Sequence, residues 1–491
     1  MTTEVSPPTA GRALAILGSS SLITVIAGIA SAKVAALLIG PSGVGLVGLV
    51  QGISAIVAAL IELGLASAIV RAFATTARHQ GWSLASLGTT ARRAVLLAGV
   101  VVIALAGALA PILTAPILGD DRQSLDLLLA AAAGVPVALT AIENGLLIAA
   151  HRVRAVARAA VCVAFVSPLV NLAWFATLKE DGVAPGAVCS AIAVFGLTSL
   201  IRRRELGEPA LDSDSEPAAP TSRRMRAALL RDGVPVMASA MVGAAAVLLL
   251  PVIVAGRLGR EGVGFYRAAN VISLGYTAAV ITVIGSDFLP RVSRVSHSAE
   301  ELRTLVFKQI NLLVMVLVPL LALTSAFLPF AVTVLYRDDF APTVTILEWQ
   351  LVGDLFRVIG SVLATAVFAR FGGTARLVSE SVGLALLVGL STFGLIVDDI
   401  RGLGWGFLVT YMIYVVLLWL LLGLNRGGAE ARSCVGVMLA GAFAASLPPL
   451  CVHVLGNDSF RRIGIVVAVA WVAPLAVRYR RRRAAPALDE L

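Results

Sequence analysis

The stretch GPSGVGLVGLVQGIS at residues 40–54 has a counterpart 219 positions later, GREGVGFYRAANVIS at residues 259–273. The two copies share three glycines, one valine and the closing Ile-Ser pair in a single register. Each copy begins after a long apolar run and leads into another, where a chain that crosses a membrane would turn back. An internal repeat of this kind predicts two lobes of the same topology, as in transporters built from parallel repeats.

The composition around the repeat is that of a membrane protein. Of the 491 residues, 58% are apolar and only 14% are charged, whereas soluble domains are about 25% charged. Soluble domains could not bury this much apolar surface, and disordered chains need low hydrophobicity. Since lipid-exposed backbone must satisfy its own hydrogen bonds, the apolar runs predict helices and not strands. We expect an all-α polytopic membrane protein.

Apolar stretches of about 18 residues or more are candidate transmembrane helices. The sequence predicts fourteen, numbered here as spans 1 to 14: 13–39, 44–69, 94–118, 125–150, 159–178, 183–201, 233–256, 263–289, 304–335, 347–369, 377–397, 403–424, 433–455 and 463–477.

Lys and Arg concentrate in alternate connections, which sets the orientation. With the N-terminus inside, the inner segments hold 27 of the 39 basic residues, the outer connections hold eight, and four lie within spans. The first apolar run is too long for a cleaved signal peptide, so we expect an uncleaved first span. An even number of spans leaves both termini in the cytoplasm of a bacterial cell, in a multi-pass inner-membrane protein.

Polar stretches divide the chain into four parts. Spans 1–6 form an N-terminal lobe over residues 1–201, and spans 7–12 form a C-terminal lobe over residues 233–424. Between them, residues 202–232 are rich in Pro, Ser and charge, and they predict a cytoplasmic linker. Residues 425–491 carry spans 13 and 14 and a basic cytoplasmic tail.

Several function classes are disfavoured by the same sequence. Basic residues are scattered, without the aromatic and basic stripe that binds nucleic acid. The four cysteines lie in apolar runs without metal-ligand spacing, so no metal site is expected. Outer connections are short and leave no room for a glycan polymerase or ligase site, so the chain is not expected to be an enzyme, and no cofactor is predicted.

Ionisable residues within the spans are the candidate functional groups, because each costs at least about 2.5–3.5 kcal/mol in a bilayer unless it meets water or a partner. Three cations lie in the outer half or near the middle of spans 1, 8 and 10, and we expect them to bind substrate: Lys33, Arg267 and Arg357. Four acids are candidates for coupling or gating: Glu62, Glu143, Asp287 and Asp354.

Ordinary structural roles remain open for several of these groups. Asp354 and Arg357 are three residues apart on one helix face, so they form either a structural ion pair or a ligand site. Asp287 could equally be part of a helix-end pair. The polar residues Asn270, Ser273 and Tyr276 line a cavity or form hydrogen bonds between helices.

Specific stretches resemble a known family. The run WQLVGDLFRV at residues 349–358 is similar to the tenth-helix motif of Wzx-type O-antigen and common-antigen flippases. The segments Gly264-Phe-Tyr-Arg267 and Leu289-Pro290-Arg291 resemble their eighth helix, and Ala32-Lys33 with the glycine turn resembles the end of their first. These flippases belong to the multidrug/oligosaccharidyl-lipid/polysaccharide exporter (MOP) superfamily, and the resemblance covers residues 11–425.

The resemblance implies two six-helix lobes around a central cavity, with spans 13 and 14 as an addition. It implies that an undecaprenyl-diphosphate-linked oligosaccharide, such as an O-antigen unit, moves from the inner to the outer leaflet by alternating access. Lys33, Arg267 and Arg357 would then contact the diphosphate or sugars, and Asp354 would partner them. Proton or sodium coupling is left open, and the expected partners are the bilayer, a polysaccharide polymerase and chain-length proteins.

Two other transport functions are alternatives. Fourteen spans also occur in lipid II flippases of the same superfamily. A multidrug/cation antiporter should favour acids and aromatics in its cavity, and aromatics make up only 6% of this chain.

Overall fold

The computed structural model describes residues 10–75, 82–118, 124–207, 219–283, 288–455 and 461–484. Over these residues the chain is helical, with short turns and 3-10 segments and without strands. The helices, numbered in chain order, are α1 Ala10–Glu62, α2 Leu65–Thr75, α3 Leu84–Leu118, α4 Ser124–Ala149, α5 Val153–Leu178, α6 Val183–Leu206, α7 Ala219–Val283, α8 Leu289–Arg294, α9 Ala299–Ala326, α10 Leu328–Leu335, α11 Pro342–Phe371, α12 Gly373–Leu421, α13 Gly428–Leu455 and α14 Ile463–Ala484.

Nine helical stretches in the described part of the chain are long and apolar enough to cross a membrane. Four of them run for 48 to 54 residues, which is more than twice the roughly 20 residues that one crossing needs. Each of the four is interrupted within its length, at Gly40, at residues 179–182, at Gly259 or at Asp398-Asp399. These breaks fall where the sequence predicts turns between spans. The multi-pass, all-α prediction is therefore confirmed, while the count of fourteen spans stays a prediction.

The two glycine turns of the repeat have the same backbone conformation. Gly40 has φ 64° and ψ −171°, and Gly259 has φ 67° and ψ −171°. Positive φ at these values strains any residue with a Cβ, which is why both turns open with glycine. Agreement of both angles supports the register found in the sequence, and the two-lobe repeat itself stays a prediction.

The chain forms two compact units, Met1–Arg267 and Ala268–Leu491. In the first unit, α4 packs against α1, α2, α3 and α6. In the second, α11 packs against α8, α9, α12 and α13, and 83% of its most apolar window is buried. These two central helices carry Glu143 and Asp354, so both acids lie on the best-packed helix of their unit.

Two further features shape the second unit. The arms of α12 fold back on each other, because Gly394 meets the backbone of Gly402 and the Thr410 hydroxyl lies 3.3 Å from the carbonyl oxygen of Leu386. The added helices α13 and α14 both pack on α9. Gly464 of α14 lies so close to the Ala322 carbonyl oxygen that a Cβ would overlap it.

The predicted linker is partly helical. Within residues 202–232, α6 continues to Leu206 and α7 begins at Ala219. Helices therefore extend beyond the apolar runs, and this brings loop-assigned arginines into helical positions.

Candidate functional site

A buried polar cluster lies between α7 and α11 in the second unit. Ser273 and Asp354 are 0% and 1% exposed, and the Ser273 hydroxyl lies 2.9 and 2.8 Å from the two carboxylate oxygens. Its single proton is shared between them. One turn away on each helix, the Gln350 side-chain amide donates to the Asn270 side-chain oxygen at 3.0 Å. Asn270 and Ser273 thus form hydrogen bonds between helices, one of the two roles open from the sequence.

Arg357 lies one turn along α11 from Asp354. Its Nη1 atom is 3.6 Å from Asp354 Oδ1, and its side chain is 20% exposed. At this separation the charges attract, but the contact is longer than a hydrogen bond. Asp354 therefore orients the guanidinium while Ser273 satisfies the carboxylate. The planar N–H fork of an arginine matches a phosphate, and here that fork reaches partly exposed space.

Aromatic side chains of α12 pack against α11 beside this cluster. Phe407 contacts Gly353 and Tyr414 contacts Gly360, so the two glycines admit the rings close to the α11 backbone. Tyr411 lies between them, with ring centroids 4.7 Å from Phe407 and 6.4 Å from Tyr414. This ladder fixes the face of α11 that carries Asp354 and Arg357.

A separate cavity of about 270 Å³ lies within the first unit, between α1, α4, α5 and α6. Its polar lining consists of Gln51, Ser54, Ser167, Asn171 and Ser190. The Ser54 hydroxyl lies 2.8 Å from the carbonyl oxygens of both Val50 and Ala130, so it ties α1 to α4. The cavity thus has the apolar walls and few polar groups typical of ligand pockets, though it is small for a whole lipid-linked sugar.

Arg267 reaches the rim of that cavity. Its Nη2 atom donates to Gln51 Oε1 at 2.7 Å, and its side chain passes Gly48, where an added Cβ would be 3.3 Å from the Arg267 Cδ atom. Gly48 and Arg267 are equivalent positions of the repeat, as are Gln51 and Asn270. Arg267 was predicted from the sequence as a candidate cation, and that role stays a prediction. Its partner Gln51 was not predicted, and the repeat was the signal that could have pointed to it.

Lys33 lies in α1, seven residues before Gly40, and is half-buried. It belongs to the first unit, whereas Arg357 belongs to the second. The three predicted cations are therefore positioned by different helices: α1, α7 and α11.

Glu143 is held by two arginines. Its carboxylate is 1% exposed, accepts from Arg92 Nε at 2.7 Å and from Arg92 Nη2 at 3.0 Å, and also pairs with Arg202. Arg202 is itself 6% exposed. Both arginines were assigned to inner connections by their sequence position, yet they lie on α3 and α6. The triad ties α3, α4 and α6 together.

The remaining acids differ in their surroundings. Glu62 ends α1, is half-buried, and accepts from the backbone N–H of Ala66 at 3.1 Å, as an N-terminal cap of α2 would. Asp287 lies outside the described residues. No group of three or more His, Cys, Asp or Glu side chains is arranged to hold a metal ion within the described ranges.

Family comparison gives one match. The profile described as Polysaccharide biosynthesis protein matches residues 34–345. No curated protein matches the chain.

Solved structures show the fold. The lipid II flippase MurJ in an inward closed conformation has a TM-score of 0.67 at 12% identity, over 96% of this chain and 99% of that one. An inward-facing multidrug resistance MATE family transporter of the MOP superfamily has a TM-score of 0.62 at 18% identity, over 86% and 100%. A MOP superfamily transporter from Pyrococcus furiosus, in which reverse polarity of the binding pocket suggests a different function, has a TM-score of 0.55 at 17% identity, over 87% and 98%.

These neighbours are transporters and flippases, which agrees with the prediction that the chain is not an enzyme. Because the matched residues make up more than half of its length, the chain belongs to the Polysaccharide biosynthesis protein family, and it has the fold of the MOP superfamily.

Proposed function

We propose that this protein flips an undecaprenyl-diphosphate-linked oligosaccharide, such as an O-antigen or similar surface polysaccharide unit, from the inner to the outer leaflet of the bacterial inner membrane. The family match supports a role in polysaccharide biosynthesis, and the MOP fold supports a membrane flippase. Both termini lie in the cytoplasm in this proposal, as the distribution of basic residues favours.

Arg357 is the observation that carries the proposal. It is a guanidinium on the most buried membrane-length helix of the second unit, 20% exposed, and 3.6 Å from its counter-ion. A cation at this position is costly unless a polar ligand or water supplements the long contact with Asp354. A diphosphate offers the bidentate acceptors that the arginine fork matches. Arg267 and Lys33 are proposed as further contacts to the diphosphate or to the sugars.

The membrane potential supplies a driving force in this direction. A diphosphate carries about two negative charges, and moving them outward releases roughly 4–5 kcal/mol per 100 mV when the inside is negative. Opening to each side in turn would move the substrate by alternating access of the two lobes.

For ion coupling, Glu62 is the described candidate that fits best. Glu143 is bound by two arginines and Asp354 by Ser273 and Arg357, so neutralising either would break a buried network. Glu62 caps a helix through one backbone N–H and is half-buried, so a proton or sodium ion could neutralise it at lower cost.

Transport in proteoliposomes tests the proposal. A fluorescent undecaprenyl-diphosphate oligosaccharide would be incorporated, and its appearance on the far leaflet would be followed with a membrane-impermeant quencher. We expect Lys33→Ala, Arg267→Ala and Arg357→Ala each to lower the rate at least tenfold, since a charge-assisted hydrogen bond contributes about 1.5–3 kcal/mol. Arg432→Ala, at an exposed arginine of α13, should keep the rate. Unchanged rates in all three folded variants would overturn the assignment.

A lipid II flippase is the second candidate. The match to MurJ extends over 96% of this chain, a larger share than the MATE match covers. Rescue of a strain depleted of its lipid II flippase, without rescue of a strain lacking its O-antigen flippase, would select this function.

A further inference from the structure

An apolar groove of about 600 Å³ lies in the second unit, between the C-terminal end of α11 and both arms of α12. Its walls come chiefly from Phe371, Val378, Val382, Tyr414, Leu417 and Leu421. The volume is within the range of small-molecule sites, which is about 300–1,000 Å³. The groove is distinct from the Asp354–Arg357 cluster, although Tyr414 contributes to both surroundings.

The groove is open on one side. Val378 is 58% exposed, Leu421 49% and Phe371 45%, so the described chain leaves these side chains uncovered. They belong to helices long and apolar enough to cross a membrane. An apolar, uncovered groove on such helices faces hydrocarbon or a ligand with an apolar chain.

Two basic side chains lie at the end of the groove next to the turn between α11 and α12. Arg370 and Arg376 flank the turn at Gly372, which has φ 84°. The Arg370 guanidinium carbon is 5.4 Å from the ring centroid of Phe371, a groove residue, and that of Arg376 is 5.7 Å from the Phe368 ring. These cation–π contacts hold both charges beside the groove mouth. Glu380 pairs with Arg376 at 2.7 Å, so the mouth keeps a net positive charge from Arg370.

We propose that this groove binds one acyl chain of an anionic phospholipid from the cytoplasmic leaflet, with the lipid phosphate at Arg370 and Arg376. Basic pockets between membrane helices on the cytoplasmic side recognise such headgroups. The lining residues of the first α12 arm, 374–382, rise about 12 Å along the helix. That distance fits within one leaflet of a hydrocarbon core about 30 Å thick. The bound lipid would bridge α11 to both arms of α12.

Native mass spectrometry of the full-length protein in detergent tests this site. Phosphatidylglycerol and phosphatidylcholine with identical acyl chains would be titrated separately. We expect wild-type protein to bind phosphatidylglycerol more tightly. Arg370→Gln should weaken phosphatidylglycerol about fivefold, since one basic residue near an anionic surface contributes about 1 kcal/mol. It should weaken phosphatidylcholine less, because the choline cation offsets the charge of that lipid's phosphate.

A variant that fills the groove distinguishes the contribution of the acyl chain to binding from that of the headgroup. Val378→Trp should lower the binding of both lipids at least tenfold, whereas Val397→Trp, at a 62% exposed valine on the same helix, should leave both unchanged. Unfolding temperature without lipid confirms that each variant is folded. Phosphatidylglycerol should raise the unfolding temperature of wild-type protein and of Val397→Trp, and it should not raise that of Val378→Trp.

Two results would overturn the proposal. One is wild-type binding by Val378→Trp. The other is displacement of the lipid by glycerol phosphate alone, which would mean that the headgroup binds without the chain. Lipid binding is measured here without an oligosaccharide substrate, so its failure is distinct from failure of the flippase function.

Discussion

Gly45 and Arg260 are in direct backbone contact, and the repeat supplies the reciprocal contact between Gly264 and Pro41. A Cβ on Gly45 would overlap the Arg260 carbonyl oxygen, and a Cβ on Gly264 would overlap that of Pro41. Pro41 and Arg260 are themselves equivalent positions of the repeat, 219 residues apart. The two glycine turns therefore meet through a pair of reciprocal contacts at equivalent positions of the sequence repeat, and neither contact leaves room for a Cβ.

Replacing either contact glycine should destabilise the protein. We expect Gly45→Ala and Gly264→Ala each to cost about 1–3 kcal/mol, because the methyl group overlaps backbone that cannot rotate away. Thermal unfolding of the purified protein in detergent measures the loss. Gly256→Ala is the control, since its Cβ would meet nothing within 4 Å. An unfolding temperature for Gly45→Ala equal to that of the control would contradict the contact.

Ser273 should contribute more than an ordinary helix serine. Ser273→Ala removes the hydroxyl that satisfies the buried Asp354 carboxylate, and a hydrogen bond to a charged group contributes about 1.5–3 kcal/mol. Ser361→Ala is the matched control, because that hydroxyl bonds only the Val358 carbonyl oxygen of its own helix, at 2.7 Å, among the contacts described. Equal unfolding temperatures for the two variants would refute the assigned role. In an Asp354→Asn background the effect of Ser273→Ala should shrink.

Glu143 anchors the first unit more strongly than a surface carboxylate would. Glu143→Gln leaves Arg92 and the buried Arg202 without their counter-ion, and breaking a buried ion pair costs about 3–5 kcal/mol. Glu205→Gln breaks a pair with Arg158, whose side chain is 63% exposed, and should cost less than about 1 kcal/mol. Unfolding temperature distinguishes the two. Normal stability of Glu143→Gln would show that the arginines are satisfied without it.

The shape of the Arg357 side chain should matter as well as its charge. Arg357→Lys keeps the charge but loses the planar fork, so we expect transport in proteoliposomes to slow about tenfold while the unfolding temperature stays near wild type. Arg432→Lys, at an exposed position, should transport normally. Full activity of Arg357→Lys would point to a simple electrostatic role.

Composition and repeat register predicted much of the fold because both can be found in the sequence without knowing how the helices pack. Apolar runs long enough to cross a bilayer predicted the helices, and recurrence of one glycine turn predicted the breaks at Gly40 and Gly259. The turn at Asp398-Asp399 also lies between the predicted spans 377–397 and 403–424. Helix ends were less predictable, since α3 and α6 extend past their apolar runs.

The site was predicted as a set of charges, without their partners. The free-energy cost of a charge in a bilayer singled out Glu143 and Asp354. Their partners are distant in sequence, since Arg92 is 51 positions from Glu143 and Ser273 is 81 from Asp354. Such contacts depend on how helices pack, and no short-range pattern encodes them. In the sequence, Arg92 and Arg202 indicate only which side of the membrane is cytoplasmic. Their pairing with Glu143 depends on α3 and α6 packing beside α4.

The pairing of Glu348 with Arg461 has a consequence for attempts to define a minimal transporter. Glu348 lies on α11, and Arg461, 5% exposed, lies two residues before the start of α14. A chain shortened to end before α13 would remove this counter-charge from Glu348 and uncover the part of α9 around Ala322. Loss of activity after such a truncation would then report a damaged core and not a transport role for the missing helices. Shortened proteins should therefore also carry Glu348→Gln before any conclusion is drawn about dispensability.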